Sequence, residues 1–370
     1  MSVILKNHGF SGVDSKELAQ QIEAKEKCRE KLPIWFNTPG IYYPKKLNIE
    51  QTSSELTARY KAEIVSGNSL LDLTGGLGVD SYFFSLKTDR VTYCEIDADL
   101  AEIAQHNFKV LRRDNIETYV GDGLAHLPQI RIKPDWIYID PSRRNDLKGK
   151  VFLLSDCLPN VPGNLDPILE GGHHIMIKTS PLLDIAAGLR ELQSVKEIHI
   201  VSVKNEVKEL LWVLQSGHQG DLKIKTVNLL PSGKELFDFS MSDEKEVFPQ
   251  YSAPLTYLYE PNSAILKSGA FKLIGLRFKL YKLHEHSHLY TGNSLISFPG
   301  RRFRIERQIP FNKKAIQDLN ISKANITIRN FPLSVAEIKK RFKISDGGED
   351  YLFFTTDMYG NRIVLRCSKT

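Results

Sequence analysis

The chain has 370 residues, 41% of them hydrophobic and 25% charged, long enough for two or three compact units and without any low-complexity tract. Its apolar runs, such as Ile137–Ile139 and Val151–Leu154, are far too short to span a bilayer, and Lys6, Asn7 and His8 interrupt the apolar start Met1–Leu5 before a secretory core could form. The formal net charge of +6 is unevenly spread: residues 298–370 carry 15 Lys+Arg against 7 Asp+Glu, a net of +8, so the rest of the chain is at −2.

The four cysteines, Cys28, Cys94, Cys157 and Cys367, form no CxxC pair and have no histidine at ligand spacing. This predicts no metal site and reduced thiols in a cytoplasmic protein. Along the chain, Lys16–Lys31 and Asn48–Val65 read as helices, the second with Leu56, Tyr60 and Ile64 on one face. Leu32–Phe36 and Ile41–Pro44 read as extended, proline-punctuated segments. Residues 1–66 are therefore expected to be a helical lead-in.

From Ser69 the pattern changes. Short apolar runs (Leu70–Leu73, Val91–Cys94, Thr118–Val120, Trp136–Ile139, His174–Ile177, Glu197–Val203) alternate with helical stretches (Val79–Leu86, Ala98–Leu111, Leu182–Leu192, Glu206–Leu214). That rhythm predicts an α/β fold with a doubly wound parallel sheet over 67–242, closed by a hairpin of Lys223–Val227 and Glu235–Phe239. A small unit is expected over 243–297, with runs at Tyr251–Tyr259 and Leu273–Leu283. A basic α+β unit is expected over 298–370, with strands at Phe303–Ile305, Asn325–Ile328, Tyr351–Thr355 and Ile363–Arg366 and a helix at Val335–Phe342.

The stretch Leu70-Leu71-Asp72-Leu73-Thr74-Gly75-Gly76-Leu77-Gly78-Val79-Asp80 is an apolar strand ending on an acid, then a glycine-rich turn opening a helix. Glycines let a ligand approach the backbone closely. The GGxG spacing and Asp72, which would repel a pyrophosphate but suits a cationic amino end, favour S-adenosylmethionine over a dinucleotide. The next strand ends at Glu95-Ile96, where a carboxylate meets ribose hydroxyls. Asp97 and Asp99 read as helix caps. A third strand ends at Asp122-Gly123, where a side chain reaches an adenine amino group. Thr74, Gly75, Gly76, Gly78, Val79 and Asp80 complete the expected donor site.

A fourth strand ends in Asp140-Pro141-Ser142-Arg143-Arg144. Asp140 is the candidate acceptor or base for the target and also borders the donor; Pro141 and Arg143 join it, and Arg143 and Arg144 are candidates to hold a phosphate. The stretch resembles motif IV of nucleic-acid methyltransferases, but Ser142 and Arg143 stand where the amino-group enzymes of that kind carry proline and an aromatic, which counts against an amino target. No later Cys-Asn-Pro turn exists for covalent carbon methylation. Lys178 is a weaker site candidate, His173-His174 reads as structural, and Asn205-Glu206 reads as a helix cap. In the basic tail, Arg301, Arg302 and Arg304 alternate with Phe303 and Ile305, and Lys340 and Arg341 sit at a helix end. This is an expected RNA-backbone contact surface.

The ordered motifs resemble motifs I to IV of class I methyltransferases. Asp72–Asp80, Ile139–Arg144, Val203–Leu211, Tyr259–Gly269, Asn325–Pro332 and Asp346–Phe354 together resemble a bacterial family with a ferredoxin-like unit and a C-terminal THUMP-like domain. The resemblance implies a Rossmann-like fold, S-adenosylmethionine as donor and an RNA substrate. The expected activity is methylation of a base in structured tRNA or rRNA. Two other readings stay open: a methyltransferase for a small molecule or protein, and a non-catalytic RNA-binding protein on the same fold.

Overall fold

The computed structural model describes residues 15–143 and 153–370. The chain divides into two compact units. The first runs to His199 and includes Lys208–Gly220; the second comprises Ile200–Val207 and Asp221–Thr370.

The first unit opens with helices α1 (Ser15–Lys31), α2 (Pro33–Asn37), α3 (Lys46–Gln51) and α4 (Glu55–Ile64). Its strands are β1 (Ser69–Asp72), β2 (Arg90–Glu95), β3 (Ile116–Val120), β4 (Trp136–Ile139), β5 (Ser142–Arg143), β6 (Cys157–Leu158), β7 (His174–Thr179), the start of β8 (Val195–Val203) and β9 (Glu206–Gln215). Within this unit the large sheet runs β8-β9-β7-β4-β1-β2-β3. Strands β7, β4, β1, β2 and β3 are parallel and β9 is antiparallel to β7. Helices α5 (Val79–Phe84) and α6 (Ala98–Val110) connect the first three strands. Asp97 caps α6, accepting from the amides of Asp99 and Leu100.

Several expectations are corrected. Residues 206–215 form a strand rather than a helix, and Lys204-Asn205 is the two-residue turn before it, both residues having positive φ. Asn205 thus caps no helix. The single helix expected over Asn48–Val65 is broken at Thr52-Ser53-Ser54, where Ser54 caps α4 by accepting from Thr57 N at 3.3 Å. Leu56 is exposed, and the buried residues of α4 are Glu55, Thr57, Ala58, Lys61 and Ala62. Pro33 starts a helical turn instead of an extended segment, its missing N–H being harmless at a helix start. The expected N-terminal helical lead-in lies within the same compact unit as the sheet, Trp35 packing edge-on against Tyr82, 4.9 Å between ring centres.

In the second unit, β10 (Lys223–Leu230) and β11 (Gly233–Ser240) form the expected hairpin, β10 lying beside the end of β8. A separate sheet contains β12 (Tyr257–Pro261), β13 (Tyr281–Lys282), β14 (Tyr290–Gly292), β15 (Gly300–Pro310), β16 (Lys323–Arg329), β17 (Ser345–Thr356) and β18 (Arg362–Lys369), in the order β13-β14-β12-β15-β18-β17-β16. Alternation along β17 serves two cores. Leu352 and Phe354 pack with Ile316 and Ile338 from helices Lys313–Gln317 and Val335–Phe342, while Phe353 packs with Phe303, Leu258 and Leu365. No helix among the described residues is long and apolar enough to cross a membrane.

Candidate active site

Because β3, β2, β1 and β4 are adjacent and parallel, their C-terminal ends bring Asp122, Glu95, Asp72 and Asp140 to one edge of the sheet. The glycine-rich turn follows β1 and leans toward the tip of β2. Gly75 N donates to Cys94 O at 2.7 Å, and a Cβ on Gly75 would stand 2.1 Å from the Tyr93 ring. Gly78 adopts φ +79 at the start of α5, its missing Cβ making room for Phe108. Gly76 has φ +55 and nothing within 4 Å of where a Cβ would lie, so its backbone borders open space. Gly123 packs on the backbone of Leu73, 2.6 Å from a virtual Cβ to Leu73 O.

The carboxylates differ in state. Asp72 is 1% exposed and accepts from Thr74 N at 3.0 Å and Ser81 Oγ at 2.6 Å. Burial pushes its pKa up to about 7, the nearby charges of Asp80 and Asp140 adding to the effect against the two hydrogen bonds. Glu95 forks, accepting from Gly76 N at 2.7 Å and Asp97 N at 2.9 Å, which fixes the turn to the tip of β2. Ile96 beside it is 74% exposed. Asp122 is exposed and accepts from Leu124 N at 2.9 Å. Thr74 accepts from Asp140 N at 2.7 Å, tying the glycine-rich turn to the fourth strand tip.

Asp80, expected at the donor, lies elsewhere. With Val79 it is buried at the head of α5, accepting from Ser53 Oγ at 2.8 Å and Tyr138 OH at 2.7 Å and pairing with Lys61 at 3.1 Å. Lys61, fully buried, also donates to both Glu209 oxygens at 3.1 Å. Burial opposes ionisation of Asp80, but Lys61, Lys178 and the two hydroxyl donors outweigh it and hold the carboxyl below its ordinary range. The sequence reading missed this network, since its members come from α4, α5 and β9.

Lys178 at the end of β7 hydrogen-bonds Asp140 Oδ2. Burial opposes its charge, but Asp140, Glu209 and Asp80 outweigh that and hold the ammonium protonated. Lys31 from α1 feels the Lys178 charge and donates to Ile49 O and Glu50 O, both at 2.8 Å; burial, then Lys178, lowers its pKa to about 8. Pro141 is buried, Ser142 is exposed, and β5 pairs Arg143 with Cys157. Arg144 lies outside the described residues. A second cleft, lined by Lys133, Asp135, His173 and His174, is at the opposite ends of β4 and β7 and holds none of these groups.

In the second unit, Arg301 shares the face of Phe303, its guanidinium 5.4 Å from that ring. It donates from Nε to the buried Glu260 at 2.6 Å, and Arg329 pairs with the other Glu260 oxygen at 2.8 Å. Arg301 is therefore not on the outward face expected for it. Arg302 donates to Ile296 O at 3.3 Å. Arg304 has a 61% exposed side chain, and Lys340 and Arg341 lie at their helix end, both exposed.

Residues 257–299 match a ferredoxin-like domain and 300–369 a THUMP domain-like family. The chain is 23% identical over 304 residues to an uncharacterised S-adenosylmethionine-dependent methyltransferase of Mycobacterium tuberculosis, covering 80% of this chain and 79% of that one. The same match is found in the CDC 1551 and H37Rv strains. It also aligns over its whole length with the crystal structure of a protein from Porphyromonas gingivalis W83 assigned as a methyltransferase. The two share 35% identity and a TM-score of 0.92, with 94% of that chain covered. The chain belongs to this family of S-adenosylmethionine-dependent methyltransferases. The methyltransferase has the large α/β sheet, with a small α+β region toward the C-terminus, that the sequence motifs imply.

Proposed function

We propose that this methyltransferase transfers the methyl group of S-adenosylmethionine to structured RNA such as a tRNA or rRNA. The observation that carries the reading is the row of Asp72, Glu95, Asp122 and Asp140 on adjacent strand tips beside the open backbone of Gly76, in one chain with a THUMP-like domain. The residues suit the donor. Gly76 leaves space a Cβ would fill, Glu95 is placed for the ribose hydroxyls, Ile96 offers an apolar surface to the adenine, and Asp122 reaches its amino group. Asp72, behind the turn, attracts the donor's amino end through its charge and fixes Thr74. The donor supplies the electrophilic methyl; the chain orients the nucleophile through Asp140 and excludes water, and this positioning accounts for much of the acceleration. Calorimetric titration of S-adenosylmethionine tests the assignment: micromolar binding by the wild type, lost in an Asp72→Ala, Glu95→Ala variant, supports it, and absent binding by folded wild type sinks it.

Donor affinity is expected to depend on pH through Asp72. In the folded protein Asp72 keeps its proton up to about pH 7, whereas an unfolded aspartate releases it near 3.8. Its contribution to stability therefore declines as pH climbs through that window and levels off above 7. Donor binding, which favours the carboxylate, runs the other way, strengthening roughly three- to tenfold from pH 6 toward pH 8. An Asp72→Asn variant should show a flat acid limb in the same titrations; a wild type equally flat rules out the assigned role.

RNA affinity is expected to come from the basic groups on the surface of the second unit. Charge reversal at Arg304, Lys340 and Arg341 should weaken binding of bulk tRNA by about 10- to 100-fold and flatten its log–log salt slope by roughly one for each phosphate left without its cation. Arg301→Glu should instead act through folding, because Glu260 already holds that guanidinium. A triple variant that binds tRNA with unchanged salt slope would place the RNA surface elsewhere.

A further inference from the structure

We propose that the atom this enzyme methylates is a hydroxyl oxygen, the ribose 2′-hydroxyl of its RNA, held between the Asp140 carboxylate and the Lys178 ammonium. The inference rests on the RNA reading above and specifies its target atom.

The balance of hydrogen-bond donors and acceptors selects that atom. Lys178 carries three N–H donors on a side chain only 13% exposed, and its hydrogen bonds among the described residues go to Asp140 Oδ2 alone. Its charge is held in place from below by Glu209 and Asp80, themselves anchored by Lys61. Asp140, 33% exposed, accepts from Lys178 on Oδ2, and among the described residues Oδ1 is left for another donor. Its backbone N–H donates to Thr74 Oγ1, so the pair is tied to the turn expected to hold the methyl donor. The mouth of the site therefore presents spare N–H donors and a carboxylate oxygen side by side.

An exocyclic amine of a base only donates hydrogen bonds and would leave the ammonium unmatched. A ring nitrogen without a proton only accepts and would leave the carboxylate unmatched, and the N–H edge of guanine or uracil would meet both groups only as a flipped base. A hydroxyl does both: its proton goes to Asp140 and its lone pair takes an N–H of Lys178. Within an RNA chain, that description fits the 2′-hydroxyl. The residues after Pro141 point the same way, since Ser142 and Arg143 supply no aromatic surface on which a flipped base would stack.

The step balances without any further reactant. The hydroxyl oxygen forms a bond to the methyl carbon as the carbon–sulfur bond breaks, and the electron pair leaves with sulfur to give S-adenosylhomocysteine. The O–H proton passes to Asp140 Oδ1 and on to solvent. Lys178 stays protonated throughout, orienting the carboxylate and the oxygen.

The test uses the full-length chain, tritiated-methyl S-adenosylmethionine and total RNA from cells lacking the gene, followed by alkaline hydrolysis. A 2′-O-methyl blocks cleavage at its own phosphodiester, so label is expected in alkali-stable dinucleotides. Label in mononucleotides means a methylated base; it overturns the hydroxyl assignment and leaves the RNA reading standing. No label in RNA, with donor binding intact by calorimetry, removes the RNA reading and the ribose assignment with it. In parallel, Lys178→Met should lower kcat about a hundredfold with unchanged donor Kd. A variant with full kcat overturns the role of Lys178, and if it fails to bind donor, the wild-type product alone decides.

Discussion

Lys61→Met is expected to lower the stability of this methyltransferase by about 3–5 kcal/mol, because it leaves Asp80 and Glu209 buried without the cation they directly contact. In thermal unfolding this is a fall in midpoint of roughly 10 °C or more. The measurement that isolates the cause is a double-mutant cycle with Glu209→Gln. Once Lys61 is gone, neutralising Glu209 should recover part of the loss, so the two changes combine to well under their sum. Strictly additive losses would mean that the methylene stem of Lys61, rather than its charge, holds α4 to α5 and β9.

The second large effect separates two neighbouring glycines. Gly75→Ala pushes a methyl into Tyr93, which is fully buried, packs edge-on against Phe108 and donates its hydroxyl to Gly76 O. Since the ring has nowhere to retreat, the variant should lose roughly 1–3 kcal/mol of stability and distort the turn, weakening donor binding as well. Gly76→Ala meets no atom and carries only the left-handed backbone cost of about 1–2 kcal/mol. Its methyl, however, enters the space assigned to S-adenosylmethionine, so donor affinity should fall about 10- to 100-fold in a protein that remains folded. Paired denaturation and calorimetry check both. A Gly76→Ala protein that binds donor as the wild type does would show that the donor approaches from elsewhere.

These two contrasts mark where the sequence was readable. The turn at Thr74–Gly78, the strand tips at Asp72, Glu95 and Asp140, and the helix Val335–Phe342 all announce themselves locally. In the last case Ser334 and Glu337 form a capping box that any reader of the chain can see. Strand β9 did not, because the run Leu210–Leu214 is apolar throughout and carries no alternation to distinguish a buried strand from a buried helix. The signal was the Lys204-Asn205 turn, a pair easily taken for solvent-facing polar residues. Lys61 and Glu209 were beyond local reading altogether. They are 148 residues apart, and each looks like an ordinary exposed charge until the sheet brings them together. Arg301 failed for a related reason: its charge suggested solvent, while the strand's alternation already put it on the side of Phe303.

Strand β15 pairs along one edge with β12 and along the other with β18. The match boundary between residues 299 and 300 thus falls where a ferredoxin-like strand and a THUMP-like strand share backbone hydrogen bonds, and Arg301 grips Glu260 across the same seam. The two modules are thus one structural piece: separating them would expose the edge of β12 and strand the buried Glu260 carboxylate. A chimera that exchanges these modules between relatives needs its joint upstream of Tyr251.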